Sequence, residues 1–163
     1  MANNFKIKDL REINLDFFKD HRGEIYTFWN SEDFPQKDII FNHDKFTFSN
    51  ENVFRGIHGD FESTKYVTCV IGEIFYVFVD YRENSNTYMQ YDTVILSQDK
   101  KNAIIFPPGV GSGALTLSKN SVTAYKLSYP NKYPDADKQF NLKWSLLDIN
   151  WPVENMIFSE RDK

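Results

Sequence analysis

The sequence predicts an all-β fold, a jelly-roll β-sandwich or barrel with few short helices, and three observations point there. Aromatic residues make up 17% of the chain, with Phe and Tyr far outnumbering Trp, a composition suited to pleated, half-buried surfaces. Short runs of β-branched and aromatic residues recur between polar turns, at the spacing of a sandwich. No helical segments alternate with these runs, which argues against a parallel α/β sheet and for antiparallel strands that wrap.

Taken in order, the first candidate element is a short helix at Ile7-Lys8-Asp9-Leu10, followed by a strand at residues 39–48. Residues 65–71 and 74–79 are two apolar runs hinged on Gly72-Glu73 and read as consecutive strands. Further strands are expected at residues 88–96, 103–106 and 121–128, parted by the polar turns 82–86 and 97–102. The stretch from Pro107 to Gly113 carries glycine at 109, 111 and 113, but no Lys-Ser/Thr follows and no helix opens. It is therefore expected to be a turn between strands and not a phosphate-binding loop. A last short helix is expected at residues 144–148. The 163 residues suit one domain, residues 1–163, with no internal repeat or low-complexity linker.

Charge and hydropathy narrow the function. The formal net charge is -4 and no run of Lys or Arg could displace the counterions of a nucleic acid, so no nucleic-acid partner is expected. The longest apolar stretches, such as Ala103-Ile104-Ile105-Phe106, fall far short of the roughly 20 residues that cross a bilayer. No signal-peptide pattern precedes residue 20, and the expected location is the cytoplasm, without a membrane partner. Cys69 is the only cysteine, so it can form no disulfide within the chain, and its apolar neighbours suggest an inert core thiol.

The three histidines, His21, His43 and His58, form no His-x-His pair, and no metal site is expected. His58 lies in Arg55-Gly56-Ile57-His58-Gly59-Asp60, which joins an anion-binding cation to a base that titrates near operating pH. The plainer reading is a satisfied histidine at a strand end. Lys65 opens an apolar strand and would stabilise a developing enolate if it faced inward, or would simply face solvent. Tyr125 is either strand packing with a wet hydroxyl or an acid, and Tyr129 and Tyr133 either pack a loop or stack on a ligand.

Several motifs recur together: Asp20-His21-Arg22-Gly23, Arg55-Gly56-Ile57-His58, Lys65-Tyr66-Val67, Gly72-Glu73 with Val79-Asp80-Tyr81-Arg82, and Leu96-Ser97. They continue with Pro107-Pro108-Gly109, Leu117-Ser118, Tyr125-Lys126, Trp151-Pro152 and Ser159-Glu160-Arg161-Asp162. In order and spacing the set resembles the dTDP-4-dehydrorhamnose 3,5-epimerase family over most of the chain. The resemblance implies a cupin-type jelly roll that works without metal or other cofactor, as a homodimer whose N-terminal strand crosses to the partner. It implies His58 as general base, Asp162 as the carboxylate that orients it, Lys65 beside the keto oxygen and Tyr125 as acid on the opposite ring face. Arg55 and Arg22 match phosphate-holding positions, and His43, Lys45, Tyr133 and Arg161 complete the expected substrate-binding set.

The chain departs from the family pattern at Ser112 (usually histidine), Tyr76 (usually aspartate), Thr27 (a glutamate position) and His43-Asp44-Lys45 (usually Gln-x-Asn). A changed base pocket is implied, as in a branch acting on GDP-linked 4-keto-6-deoxyheptoses for bacterial surface polysaccharide. The expected reaction is inversion at C3, C5 or both of a nucleotide-linked 4-keto-6-deoxy sugar. A 3,4-ketoisomerase and a non-catalytic sugar-binding jelly roll are the alternatives.

Overall fold

Twelve strands form among the residues that the computed structural model describes, 4–33, 38–129 and 138–163. In chain order they are β1 (Arg11–Asn14), β2 (Phe17–Asp20), β3 (Gly23–Tyr26), β4 (His43–Asn50), β5 (Phe54–Gly59) and β6 (Thr64–Ile71). There follow β7 (Glu73–Asp80), β8 (Tyr91–Ser97), β9 (Asn102–Phe106), β10 (Val110–Thr116), β11 (Asn120–Ser128) and β12 (Phe140–Asn141). One five-stranded sheet has the order β1-β9-β6-β11-β4, a second has β12-β5-β10-β7-β8, and β2-β3 is a separate hairpin. Every pairing in these sheets is antiparallel.

Strand β7 explains why several runs read as unbroken apolar stretches. Its Ile74, Tyr76 and Phe78 point between the sheets, where they meet Val67, Cys69, Ile104 and Phe106 of the first sheet. The alternate residues Val77 and Val79 point the other way, onto Phe54, Ile57, Leu115 and a cover formed by Leu142, Trp144, Ile149, Trp151 and Phe158. The first sheet is covered likewise, its Tyr66, Ala103 and Ile105 lying under Leu15, Phe28, Trp29 and Phe41. A strand buried on both faces has no polar face to show. Cys69 lies in the central layer, and burial pushes its thiol up to about 12, in keeping with an inert core residue.

The chain passes from β6 in one sheet to β7 in the other at Gly72, whose φ of +81° suits glycine. At the far end of β7, Asp80 is fully buried and accepts hydrogen bonds from Arg82 Nε (2.8 Å), Ser85 Oγ (2.6 Å) and Thr87 Oγ1 (2.7 Å). Burial alone would raise this carboxyl, but those donors outweigh it and hold it well below the usual range.

The structure corrects several expectations. Residues 7–10 form a turn, closed by Leu10 N–H donating to Ile7 O (3.3 Å), because Ile7 and Leu10 both plug the central core. Residues 144–148 also form turns that lay Trp144 and Leu147 on the second sheet. Only Pro107–Gly109 turns, and the rest of the glycine-rich stretch is β10. A Cβ at Gly111 would lie 2.9 Å from the Phe140 ring, and one at Gly113 2.9 Å from that of Phe54, so these glycines admit rings against a strand.

Candidate active site

Strand β4 inverts the usual pattern. Phe46 and Phe48 are 59% and 72% exposed, while Lys45 and Thr47 face inward. An inward polar row cannot fill an apolar core, and it lines instead a cavity of about 480 Å³. The first sheet contributes Lys45 and Thr47 from β4, Lys65 from β6 and Tyr125 from β11. The second contributes Arg55 and His58 from β5, Tyr76 from β7 and Ser112 from β10. The C-terminal segment closes it with Gln139, Ser159, Arg161 and Asp162.

Local pairing brings His58 and Asp162 together. Strand β12 lies on β5 with Asn141 opposite His58, and the Asn141 side-chain amide donates to Arg161 O (2.8 Å), anchoring the tail beside the histidine. His58 Nε2 then lies 2.7 Å from Asp162 Oδ1, and neither atom has another polar partner among the described residues. Ser159 Oγ donates to the other carboxylate oxygen of Asp162 (2.8 Å) and fixes its plane. Burial first, then the charges of Arg161 and Lys45, lower the proton affinity of His58, while Asp162 opposes them; the net is a histidine below its ordinary 6.5. It is neutral, and so a competent base, near neutral pH.

Lys65 stands opposite Leu127, two residues along β11 from Tyr125. Its Nζ pairs with Asp60 Oδ2 at 2.8 Å, and both side chains are almost fully buried. Asp60 also accepts from Ser63 N (2.6 Å), Ser63 Oγ (2.6 and 2.8 Å) and Glu62 N (3.0 Å). Burial raises its carboxyl, but Lys65 and these donors prevail and leave it below the ordinary range. Tyr125 receives a hydrogen bond from the Tyr76 hydroxyl (3.3 Å), and Lys45 Nζ sits 4.8 Å from the centre of its ring. The lining holds four cations, Lys45, Arg55, Lys65 and Arg161, against the carboxylate of Asp162, an electrostatic environment suited to a diphosphate.

Seven of the ten candidate residues thus meet in one cavity: His58, Tyr125, Asp162, Lys65, Arg55, Lys45 and Arg161. Arg22 does not join them within one chain; it sits in the β2–β3 turn, its side chain 76% exposed and paired with Asp20 at 2.6 Å. His43 begins β4 but lies outside the cavity lining, with Nδ1 3.0 Å from Asn42 Oδ1. Tyr133 falls outside the described residues. Tyr129 is buried and donates its hydroxyl to Glu62 (2.6 Å), which supports a packing role. Sequence reasoning did not assign Asp60, Thr47, Gln139 or Ser159 to the site, and it noted Tyr76 and Ser112 only as departures. Asp60 was visible inside the His58 motif, whereas Thr47, in β4, and Gln139, just before β12, carry no sequence signal of their own. Among the described residues no three His, Cys, Asp or Glu side chains converge as metal ligands, and no helix is long and apolar enough to cross a membrane.

A neutral histidine backed by a carboxylate, a tyrosine on the facing sheet and a cationic lining between them form, on a jelly-roll scaffold, an arrangement that can move protons on a bound anionic ligand. The dTDP-4-dehydrorhamnose 3,5-epimerase family model matches residues 4–163. The chain is 30% identical to dTDP-4-dehydrorhamnose 3,5-epimerase of Shigella flexneri over 165 residues, covering 96% of this chain and 90% of that protein. Its fold is similar to the epimerase of Legionella pneumophila in complex with dTDP-4-keto-L-rhamnose: TM-score 0.91, 29% identity, 99% of this chain and 89% of that one. It is also similar to the Bacillus anthracis epimerase with TDP and pyrophosphate bound: TM-score 0.90, 27% identity, 99% and 95% covered. The chain belongs to the dTDP-4-dehydrorhamnose 3,5-epimerase family, and it is an isomerase of the epimerase kind.

Proposed function

We propose that this enzyme inverts C3, C5 or both in a nucleotide-linked 4-keto-6-deoxy sugar, with His58 as base and Tyr125 as acid. The observation that carries this reading is that His58 and Tyr125 line one cavity from opposite sheets. A hydrogen α to a ketone is acidic enough to remove only when the enolate charge is stabilised as it forms. His58 takes that proton, the Lys65 ammonium offsets the charge on the carbonyl oxygen, and Tyr125 protonates the carbon from the far face. The resulting imidazolium and phenolate return to their starting states through solvent. Asp162 orients His58 and supports its positive form, while Arg55 and Arg161 accept the diphosphate.

Among the GDP, dTDP and CDP sugars, GDP joined to a 4-keto-6-deoxyheptose is the substrate proposed, serving surface polysaccharide synthesis in the cytoplasm. The support is the altered wording at His43-Asp44-Lys45 and Thr27. The proposed working unit is a homodimer. Phe17, Phe18 and Ile25 on the β2–β3 hairpin and Phe46 and Phe48 on β4 are large exposed apolar side chains, which a second copy would cover. Crossing of the N-terminal strands would bring Arg22 to the partner's cavity.

Purified enzyme offered GDP-, dTDP- and CDP-linked 4-keto sugars in deuterated water tests the reading by NMR. Deuterium should enter at the inverted carbon, with GDP heptose turned over fastest. Binding without exchange would leave a sugar-binding jelly roll, migration of the carbonyl would make the enzyme a ketoisomerase, and wild-type exchange by His58→Asn would remove the base.

A further inference from the structure

Tyr125 does not stand alone in the cavity wall. Its oxygen is 3.3 Å from the hydroxyl of Tyr76, which donates to it across the sandwich from β7. Tyr76 is 2% exposed, and its ring stacks on Phe78 at 4.9 Å with the planes 21° apart. It sits in the central core, beside Ala114 of β10 and Val94 of β8 on the neighbouring strands. The Tyr76 hydroxyl is therefore held by packing, and it reaches the cavity from the same sheet as His58.

A hydroxyl has one proton to give and two lone pairs to receive with. Because Tyr76 donates to the Tyr125 oxygen, the proton of Tyr125 cannot lie along that line and is turned toward the cavity. Once Tyr125 gives that proton to carbon, its oxygen carries the charge, and the bond from Tyr76 becomes charge-assisted. Such bonds are shorter and about twice as strong as neutral ones. At 3.3 Å the resting contact is longer than the optimum for paired hydroxyls and has room to tighten as charge develops. The interaction is thus stronger in the transition state than in the ground state, the condition under which it raises a rate. Lys45, 4.8 Å from the ring centre, holds Tyr125 from a second direction.

We infer that Tyr76 is a positioning residue for the Tyr125 acid, its hydroxyl directing the Tyr125 proton into the cavity and taking up the charge left behind. The inference rests on the reading of Tyr125 as the acid.

The test compares Tyr76→Phe, Tyr125→Phe and the double variant, each scored for deuterium exchange and for inversion in the same NMR experiment. Tyr76→Phe keeps the ring stack and should lower inversion about tenfold, the loss of about 1.4 kcal/mol of transition-state stabilisation. Exchange, which on this reading does not pass through the Tyr125 proton, should stay within about twofold, and that retained exchange also reports an intact fold. The double variant should be no worse than Tyr125→Phe, because a residue acting through another has no effect once that one is gone. Equal loss of exchange and inversion in Tyr76→Phe, or losses that multiply in the double variant, overturns the inference. If Tyr125→Phe lowers inversion but Tyr76→Phe does not, the inference about Tyr76 alone falls. If Tyr125→Phe leaves the ratio of inversion to exchange unchanged, both readings fall together.

Discussion

Replacing Asp162 by Asn should slow proton removal and, at the same time, move the acid limb of the rate profile to lower pH. Burial, Arg161 and Lys45 all disfavour the charged form of His58, and Asp162 opposes them through its charge and a hydrogen bond. With Nε2 and Oδ1 only 2.7 Å apart, Asp162→Asn removes an adjacent negative charge while keeping the side chain's size. An opposite charge at such range shifts a titrating group by about 1–3 pH units, so His58 becomes a base weaker by roughly one to three powers of ten. The acid limb of deuterium exchange, which begins below 6.5 in the native enzyme, should move down by about one unit or more. The exchange rate on the plateau should fall about 10- to 1000-fold, as expected for a weaker and less firmly oriented base. Exchange into a nucleotide-linked 4-keto sugar, followed by NMR from about pH 4 to 8, reads both quantities. A slower enzyme whose acid limb stays in place would show that Asp162 supports the tail rather than the histidine, and an upward move would contradict the electrostatics outright.

Three further outcomes follow from the same geometry. Asp60→Asn leaves the buried Lys65 ammonium without its carboxylate and should destabilise the fold by about 3–5 kcal/mol, read as a lower denaturant midpoint. Acid should lower the stability of the native protein in two stages. His58, lowered from 6.5, binds protons more weakly in the folded state, so stability falls as pH drops through that window, and His58→Asn should abolish this stage. The lowered carboxyls of Asp60 and Asp80 contribute stability that is present above 3.8 and lost below it, a stage that His58→Asn should leave in place. Gly113→Ala sets a methyl group 2.9 Å from the Phe54 ring and should cost about 1–3 kcal/mol in a thermal or denaturant melt.

Much of this was legible in the residues, and the losses have physical causes. Strands β6, β7, β8, β9 and β11 were found because each carries a β-branched and aromatic run, least interrupted where burial is on both faces, as in β6, β7 and β9. Strands β5 and β10 were missed because glycine breaks both runs, and the reason for those glycines, the β10 backbone against Gly56 and the rings of Phe140 and Phe54 against Gly59, Gly111 and Gly113, is set by packing between strands. The alternation of β4 was visible, but its orientation was not. Lys45 was reached through the family resemblance, but alternation alone does not say that Thr47 faces the cavity while Phe46 and Phe48 are exposed. Among the site residues, the ordered motifs brought out His58, Lys65, Tyr125 and Asp162. They could not show that Asp60 holds Lys65 or that Asn141 straps the tail to β5, since those contacts depend on register.

The division of labour between the sheets bears directly on stereochemistry. Facing sheets lie about 10 Å apart, so side chains entering from both leave space for little more than one sugar ring between them. A base and an acid on the same sheet would address the same ring face. The proton would then return to the side it left, giving exchange without inversion. In this chain His58 belongs to β5 and Tyr125 to β11, and the two strands lie in different sheets. On the proposed mechanism inversion is therefore a property of the sandwich itself: the fold sets which face each group meets, and the side chains supply only the proton affinity. The same reasoning explains how Ser112 can stand where the family pattern carries histidine without disturbing the outcome. Ser112 pairs with His58 in the second sheet and so borders the base's side of the ring, leaving the opposed geometry as it was.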